Sequence, residues 1–297
     1  MDIPGYRAFL AVAEHRSFSK AADSLFITQP AISKRVAQLE AQLGRALFDR
    51  VGRKVSLNEA GNALLPVAMR IIQEVQESRR VINNLSGEIS GKLPLVTSHH
   101  IGLRRLPSVL KRFTRKYPKV RLDLAFMDSE NACRKIEQGH FELGVVTLPL
   151  VTPKTLKLTS LWSDPLAIAT TASHPLAIKS ATQKSKITLD DLADYPAILP
   201  SVGTYTRSII EDPIIKKQAA LDVILETNYL ETIRMMVSIG LGWSALPRTM
   251  INKELIEIPI SGLHIQRELG IVQHAERSLS NASKAFIEEA LIKGTAD

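Results

Sequence analysis

At 297 residues the chain exceeds what one compact core ordinarily organises, so two or three domains are expected. Hydrophobic residues make up 45% and charged residues 23%, ordinary globular proportions that exclude long disorder and a fibrous class. A net charge of +8 and a pI near 9.6 favour a polyanionic partner, because lysine and arginine gain by releasing counterions from phosphate backbones.

From Ile3 to Ala13 the apolar residues Tyr6, Phe9, Leu10 and Ala13 recur at helical spacing, and Ser17 to Leu25 forms a second short helix with Phe18, Ala21, Ala22 and Leu25 on one side. After a tight break, Thr28 is placed to cap a third helix. Pro30 sits in its tolerant first turn, Ile32, Val36, Leu39 and Leu43 line one face, and Gly44 ends it. Ala46 to Leu57 alternates around Gly52, with Arg50, Arg53 and Lys54 about the turn, the pattern of a β-hairpin with a basic tip. Asn58 then caps a long helix running to Leu85, in which Leu64, Ala68, Ile71, Val75, Ser78, Ile82 and Leu85 form a heptad seam that needs a partner helix. Pro66 removes one donor inside it, so a bend or early break is expected there.

Ser86 to Lys92, with two glycines and two serines, reads as a linker. Strands and helices alternate beyond it: strand Leu93 to Thr97, helix Leu106 to Tyr117, strand Val120 to Met127, helix Glu130 to Gln138, strand Leu143 to Thr147. That alternation predicts a parallel sheet with crossover helices, although Pro94 weakens the first strand. A further set spans Leu166 to Leu246, with strands at Ala197 to Leu199, Val223 to Glu226 and Gly242 to Leu246, and helices at Thr204 to Ile209 and Tyr229 to Ile239. Strand Leu269 to Gln273 and helix Ala282 to Ile292 return to the first half, giving two lobes with a cleft between them.

Helix, tight turn, helix and basic hairpin is the winged helix-turn-helix plan, in which the second helix of the pair enters the major groove. Its outer face carries Gln29, Pro30, Ser33, Lys34 and Gln38. Glutamine bonds adenine bidentately, lysine bonds guanine, and proline methylenes meet a thymine methyl. Arg50, Arg53 and Lys54 would contact phosphates or the adjacent minor groove.

The segment AFLAVAEHRSFSKAADSLFITQPAISKRVAQLEAQLGRALFDRVGRKVSLNEAG resembles the N-terminal domain of the LysR-type transcriptional regulators. Ser17-Phe18, Ala21-Ala22, Thr28-Gln29-Pro30-Ala31, Ser33, Leu39-Glu40, Leu43-Gly44, Leu47-Phe48 and Ala60-Gly61 carry the likeness. Asn58 stands where the family usually has Thr, and caps a helix equally well. Further along, LPSVLKRFTRKYPKV and MVSIGLGWSALP resemble segments of the family's two-lobed effector domain, while Glu142-Leu143 replaces the usual Asp-Leu and Pro94 a commonly basic residue. The resemblance implies a homotetramer built as a dimer of dimers, with double-stranded DNA, a small-molecule effector and RNA polymerase as partners.

In open α/β sheets, ligands bind beyond the carboxyl ends of the strands, where helix N-termini offer free donors. Ser98 and His99 follow the first strand, Ser129 precedes a helix, Thr147 ends a strand, Ser201 and Thr204 bracket Gly203, and Asn228 precedes a helix of the second lobe. Each serves equally as a helix cap. Together they predict a site for a small anionic metabolite, an organic acid, with His99 adding a cation near or below neutral pH. No buried aromatic platform is evident at these junctions, which disfavours a large flat ligand. His99-His100 lacks companions at metal-ligand spacing. Asp190-Asp191 reads as the first turn of a helix capped by Thr188 rather than as an acid-base pair. With no nucleophile elbow, phosphate loop or dinucleotide fingerprint, neither metal, cofactor nor catalysis is expected.

Cys133 is the only cysteine, which rules out an internal disulfide and fits a reducing compartment; its bland reading is a small buried residue. The first residues lack the pattern of a secretory signal, and no apolar run approaches the roughly 18 residues of a spanning helix. The expectation is therefore a cytoplasmic protein with no membrane partner. Its fold class is an all-α winged helix-turn-helix domain (1–57) with a long linker and dimerisation helix (58–85), a hinge (86–92) and a two-lobed α/β effector domain (93–297). Lobe I takes about 93–163 and 266–297, and lobe II about 164–265. Leu64, Ala68, Ile71, Val75 and Ile82 are the expected dimer contacts. The rival reading is a solute-binding or transport-associated protein with a two-lobed cleft; an enzyme on the same fold comes third.

Overall fold

A computed structural model describes residues 2–51, 54–182, 187–215 and 221–292. The chain divides into two compact units, Met1–Ser86 and Gly87–Asp297.

In the first unit, α1 (Ile3–His15) starts where the Asp2 carboxylate accepts the Gly5 N–H at 2.9 Å. Next, α2 (Phe18–Ser24) is capped by Ser17, whose hydroxyl accepts the Lys20 N–H. The turn after α2 holds Phe26 at φ 54, in the left-handed region. Thr28 takes the N-cap position of α3 (Gln29–Leu43) but makes no side-chain capping bond, and Gly44 closes the helix at φ 68, a conformation that costs glycine nothing. Strands β1 (Phe48–Val51) and β2 (Lys54–Leu57) pair antiparallel from Phe48 opposite Leu57. Asn58 then caps α4 (Glu59–Asn84) by accepting the Gly61 N–H at 2.9 Å, while its amide donates to the Ala46 carbonyl. Gly61 is required by space: a Cβ there would lie 2.1 Å from the Leu47 carbonyl oxygen.

The helices close on a core of Phe9, Phe18, Ile32, Val36, Leu39, Leu47 and Phe48, with the Phe9 and Phe18 rings 5.4 and 5.9 Å from that of Phe48. Two points of the expected helix are revised here. Of the bend or early break expected at Pro66, the break does not occur: α4 continues through it, because the lost hydrogen bond is one among many in a 26-residue helix. Ala68 is fully buried in this core and Leu64 packs against it, so the early part of the heptad seam serves the domain's own interior.

The second unit opens with β3 (Gly91–Thr97), α5 (His99–Arg104), α6 (Leu106–Lys116), β4 (Val120–Phe126), α7 (Ser129–Glu137) and β5 (Leu143–Thr147). Strand β3 begins inside the expected hinge, since Gly91 and Lys92 already pair with Val120 and Arg121. The connector is therefore shorter than 86–92. Pro94 is tolerated because pairing with β5 starts only at Leu95, leaving β3 one neighbour at that point.

A long strand, β6 (Leu156–Thr170), then leads into α8 (Pro175–Thr182), α9 (Leu189–Ala193), β7 (Ala197–Leu199), α10 (Tyr205–Ile215), β8 (Val223–Glu226), α11 (Leu230–Ser238), β9 (Ser244–Pro247) and β10 (Ile256–Ile258). The chain returns through β11 (Ile265–His274) and α12 (Asn281–Leu291). The main sheet runs β10-β6-β11-β5-β3-β4, with β9 also on β6. It is mixed rather than parallel: β3, β4 and β5 are parallel, while β11 runs antiparallel to both β5 and β6. Apolar clusters cover both faces of each half. Leu93, Leu95, Phe113 and Phe286 lie on one side of the first lobe and Val96, Ile136 and Val146 on the other; Leu199, Ile210 and Trp243 oppose Ile198, Ile233 and Leu246 in the second. Burial on both faces is why β5 reads as an unbroken apolar run. As read from the sequence, Thr188 caps α9, in a reciprocal box with Asp191. Among the described residues no helix is long and apolar enough to cross a membrane.

Candidate functional site

On α3 the two faces have opposite fates. Ile32, Val36 and Leu39 are buried, whereas Gln29, Pro30, Lys34 and Gln38 are exposed and Ser33 is half-buried. A carboxylate oxygen of Glu40 accepts the Leu47 N–H at 2.7 Å, tying the far end of this helix to the segment that enters the hairpin. Arg50 lies in β1 and Lys54 in β2; their side chains, and Arg53 altogether, fall outside the described residues. Further along α4, Ile71 and Val75 are half-buried and Ile82 is 66% exposed, beside exposed Val81 and Leu85.

In the second unit Ser98, His99, Ser129, Thr147, Thr204 and Asn228 all line one cavity between the lobes. Ser201 does not line it; its N–H donates to the Asn228 Oδ1 at 2.9 Å, which leaves the Asn228 NH2 for other partners. The Thr204 hydroxyl donates to the Ser201 carbonyl and accepts the Arg207 N–H, so its hydrogen-bonding capacity goes to the start of α10. Ser129 accepts the Thr147 N–H at 3.1 Å. Ser98 is the N-cap of α5 and makes no side-chain capping bond.

Three residues that line this cavity, Arg267, His100 and Glu130, escaped sequence reading, as did Arg105 beside them. Arg267 is buried, with its Nε 2.8 Å from the Asp164 carboxylate and its Nη1 donating to Thr206 at 3.1 Å. Arg105 reaches the other oxygen of Asp164 at 2.9 Å, so two guanidiniums share one carboxylate. His100 is buried, and burial, reinforced by Arg267, pushes its pKa down to about 4, which keeps the ring neutral. Glu130 reaches across the cleft to accept the Tyr205 N–H at the start of α10; burial raises its pKa. The N-terminus of α10 is thus already met by an internal carboxylate. A second cross-lobe tie joins Arg104 to Glu231 at 2.8 Å.

Inward charge in the final strand was the available signal for Arg267. Starting that strand at Leu269 rather than Ile265 hid it. At the cleft margin His99 stacks on Phe126 at 5.2 Å and meets the edge of Tyr229 at 4.9 Å, an aromatic cluster that is exposed rather than buried. Cys133 is buried, and burial pushes its thiol up to about 11, far from a reactive thiolate.

A winged helix-turn-helix followed by a two-lobed domain with a polar interlobe cleft defines a ligand-responsive DNA-binding regulator. Residues 5–62 match the family "Bacterial regulatory helix-turn-helix protein, lysR family" and residues 86–293 match "LysR substrate binding domain". The chain belongs to the LysR-type transcriptional regulators. A probable RuBisCO transcriptional regulator of Thalassiosira pseudonana is 33% identical over 290 residues, covering 94% of this chain and 92% of the relative. Full-length CbnR complexed with its target DNA is similar in fold, with a TM-score of 0.63 at 20% identity over 98% of this chain and 99% of that one. The regulatory domain of CcmR from Synechocystis PCC6803, in complex with 2-PG, gives a TM-score of 0.60 at 24% identity over 68% of this chain and 96% of its own.

Proposed function

We propose that this regulator reads its operator through Gln29, Pro30, Ser33, Lys34 and Gln38, while Arg50, Arg53 and Lys54 of the hairpin hold phosphates. The supporting observation is the division of α3 into a buried apolar face and an exposed polar one. Helix α4 joins two chains through Ile71, Val75 and Ile82, with Leu64 and Ala68 left to the domain core, and dimers pair into tetramers. The protein works in the cytoplasm as a non-enzymatic regulator that communicates with RNA polymerase. Its effector is a small organic acid held in the interlobe cleft by Ser98, His99, Ser129, Thr147 and Asn228, with Ser201 and Thr204 shaping the rim and buried Arg267 favouring the anion.

The test is a salt titration of binding to a duplex recovered from genomic fragments retained by the purified protein, alongside a scrambled duplex. Lys34→Ala is expected to lose discrimination worth about 1–3 kcal/mol at one base pair. Arg53→Ala is expected to weaken both duplexes equally and to lower the salt slope by about one. Unchanged binding by both variants would refute the docking of α3.

A further inference from the structure

Val96, Cys133, Ile136, Val146 and Val272 belong to one apolar layer of the first lobe, and the Tyr205 ring packs against that layer from the start of α10 in the second. Among the described residues every other member of the cluster belongs to the first lobe. The Tyr205 phenol lies against the Cys133 thiol, and Cys133 is only 3% exposed. The backbone of the same residue is held as well: its N–H donates to the half-buried carboxylate of Glu130, on the first turn of α7, a charge-assisted bond. One residue further on, the Thr206 hydroxyl accepts from Arg267 Nη1 at 3.1 Å. By contrast, the cross-lobe pair of Arg104 and Glu231 has side chains 44% and 36% exposed, where solvent screening leaves little net attraction. The first turn of α10 is therefore the main tie across the cleft. The polar cavity behind it has a volume of about 50 Å³, space for one or two waters at roughly 30 Å³ each. A whole metabolite enters it only after the lobes part.

We propose that Tyr205 is a latch between the lobes: seated against Cys133 it holds the cleft shut, and a ligand reaches the cavity only in the minor population from which the ring has been withdrawn. The apparent affinity of any ligand is then reduced by the fraction of molecules that is open, so the latch sets the resting sensitivity of the regulator. It adds a gate to the proposed ligand site and does not depend on which ligand that site takes. Cys133, the only cysteine, is its built-in reporter. Burial pushes the thiol up to about 11 while the ring is seated, and withdrawal of the ring returns it to water and to ordinary reactivity.

The rate at which N-ethylmaleimide labels Cys133 in the folded full chain at neutral pH, followed by intact mass, tests it. Wild type is expected to label slowly, at a rate nearly flat in low urea, because parting the lobes exposes little surface compared with unfolding. Tyr205→Ala is expected to label on the order of tenfold faster or more, and Tyr205→Phe, which keeps the ring, near the wild-type rate. Two further variants leave both the ring and the thiol in place and only loosen the lobes. Thr206→Val, which removes the bond to Arg267, is expected to speed labelling severalfold, and Glu231→Gln, at the separate surface pair, about twofold. If Tyr205→Ala labels no faster than wild type, the ring does not guard the thiol and the proposal falls. If Tyr205→Ala is fast but Thr206→Val and Glu231→Gln both match wild type, the ring is a local cover rather than a tie between lobes, which overturns it equally. Wild-type labelling that climbs with urea as steeply as global unfolding would show that no separate open state exists. None of these failures touches the reading of the cleft as the ligand site, since no ligand enters the assay.

Discussion

Arg267 and Asp164 sit at paired positions of β11 and β6, with guanidinium and carboxylate 2.7 Å apart and side chains only 4% and 1% exposed. Taking two charges out of water is costly, and the pair is kept by its geometry and by the further bonds from Arg105 and Thr206. Asp164→Asn leaves a buried cation without its counter-charge and is expected to cost the effector domain about 3–5 kcal/mol. Replacing both partners, as Asp164→Leu with Arg267→Met, should recover most of that loss while abolishing response to an anion. Urea midpoints of the three proteins check this, and an unchanged midpoint for Asp164→Asn would contradict a stability role for the pair.

Acid is expected to destabilise the effector domain through His100. Its folded pKa of about 4 lies below the ordinary histidine value of 6.5, so between those values the unfolded chain takes up a proton that the folded protein refuses. The contribution is complete above pH 6.5 and is lost as the pH falls towards 4, a span of about 3 kcal/mol. His174 and His274 are also held down by burial, so the informative readout is the difference between wild type and His100→Gln at pH 7 and pH 5. A difference that does not change with pH would show that folding leaves the His100 pKa where it is in the unfolded chain.

Ile71→Asp places a charge on the part of α4 left over after the domain core has taken Leu64 and Ala68. Dimers are expected to dissociate, with operator affinity falling because two half-sites are no longer engaged together. Sedimentation velocity reads the assembly directly. An intact oligomer would mean that the remaining apolar positions of α4 do not form the contact.

Phe26 is 95% exposed and sits at φ 54, where a Cβ crowds the following carbonyl. Asparagine tolerates that conformation, and no buried area is lost by the change, so Phe26→Asn is expected to stabilise the first unit by about 1 kcal/mol. Thermal unfolding of the N-terminal domain reads this as a rise of several degrees. A fall would show that the exposed ring makes contacts in the assembled protein.

Much of this fold was legible because each early element carries its own boundary chemistry. Ser17, Asn58 and Thr188 cap the helices they precede, and Gly44 ends α3 in the left-handed conformation. The cleft was legible in part for a related reason: hydroxyl and amide residues at strand ends are brought together by any sheet of this topology. Burial partners far apart in the chain were not legible. Arg267 and Asp164 meet across 103 positions, and no local pattern marks either as half of a pair. The choice of His100 over His99 as the buried ring turns on a single residue of register at the start of α5, a short helix that sequence periodicity did not resolve. On α4 the apolar repeat was correct as a pattern, but periodicity alone cannot tell a domain's own core from a partner chain.

Strands β6 and β11 pass from one lobe into the other as an antiparallel pair, bonded from Ile265 opposite Leu166 to His274 opposite Leu156. Two bonded ribbons laid side by side resist stretching and sliding, because either motion would break a whole ladder at once, but they bend at low cost. The lobes therefore have one soft coordinate, a rotation about the segment where Asp164 and Arg267 lock the ribbons together. Whatever free energy a ligand releases by drawing the cleft shut leaves the domain as an angle rather than a displacement, and the further a surface lies from that axis, the larger the movement it receives.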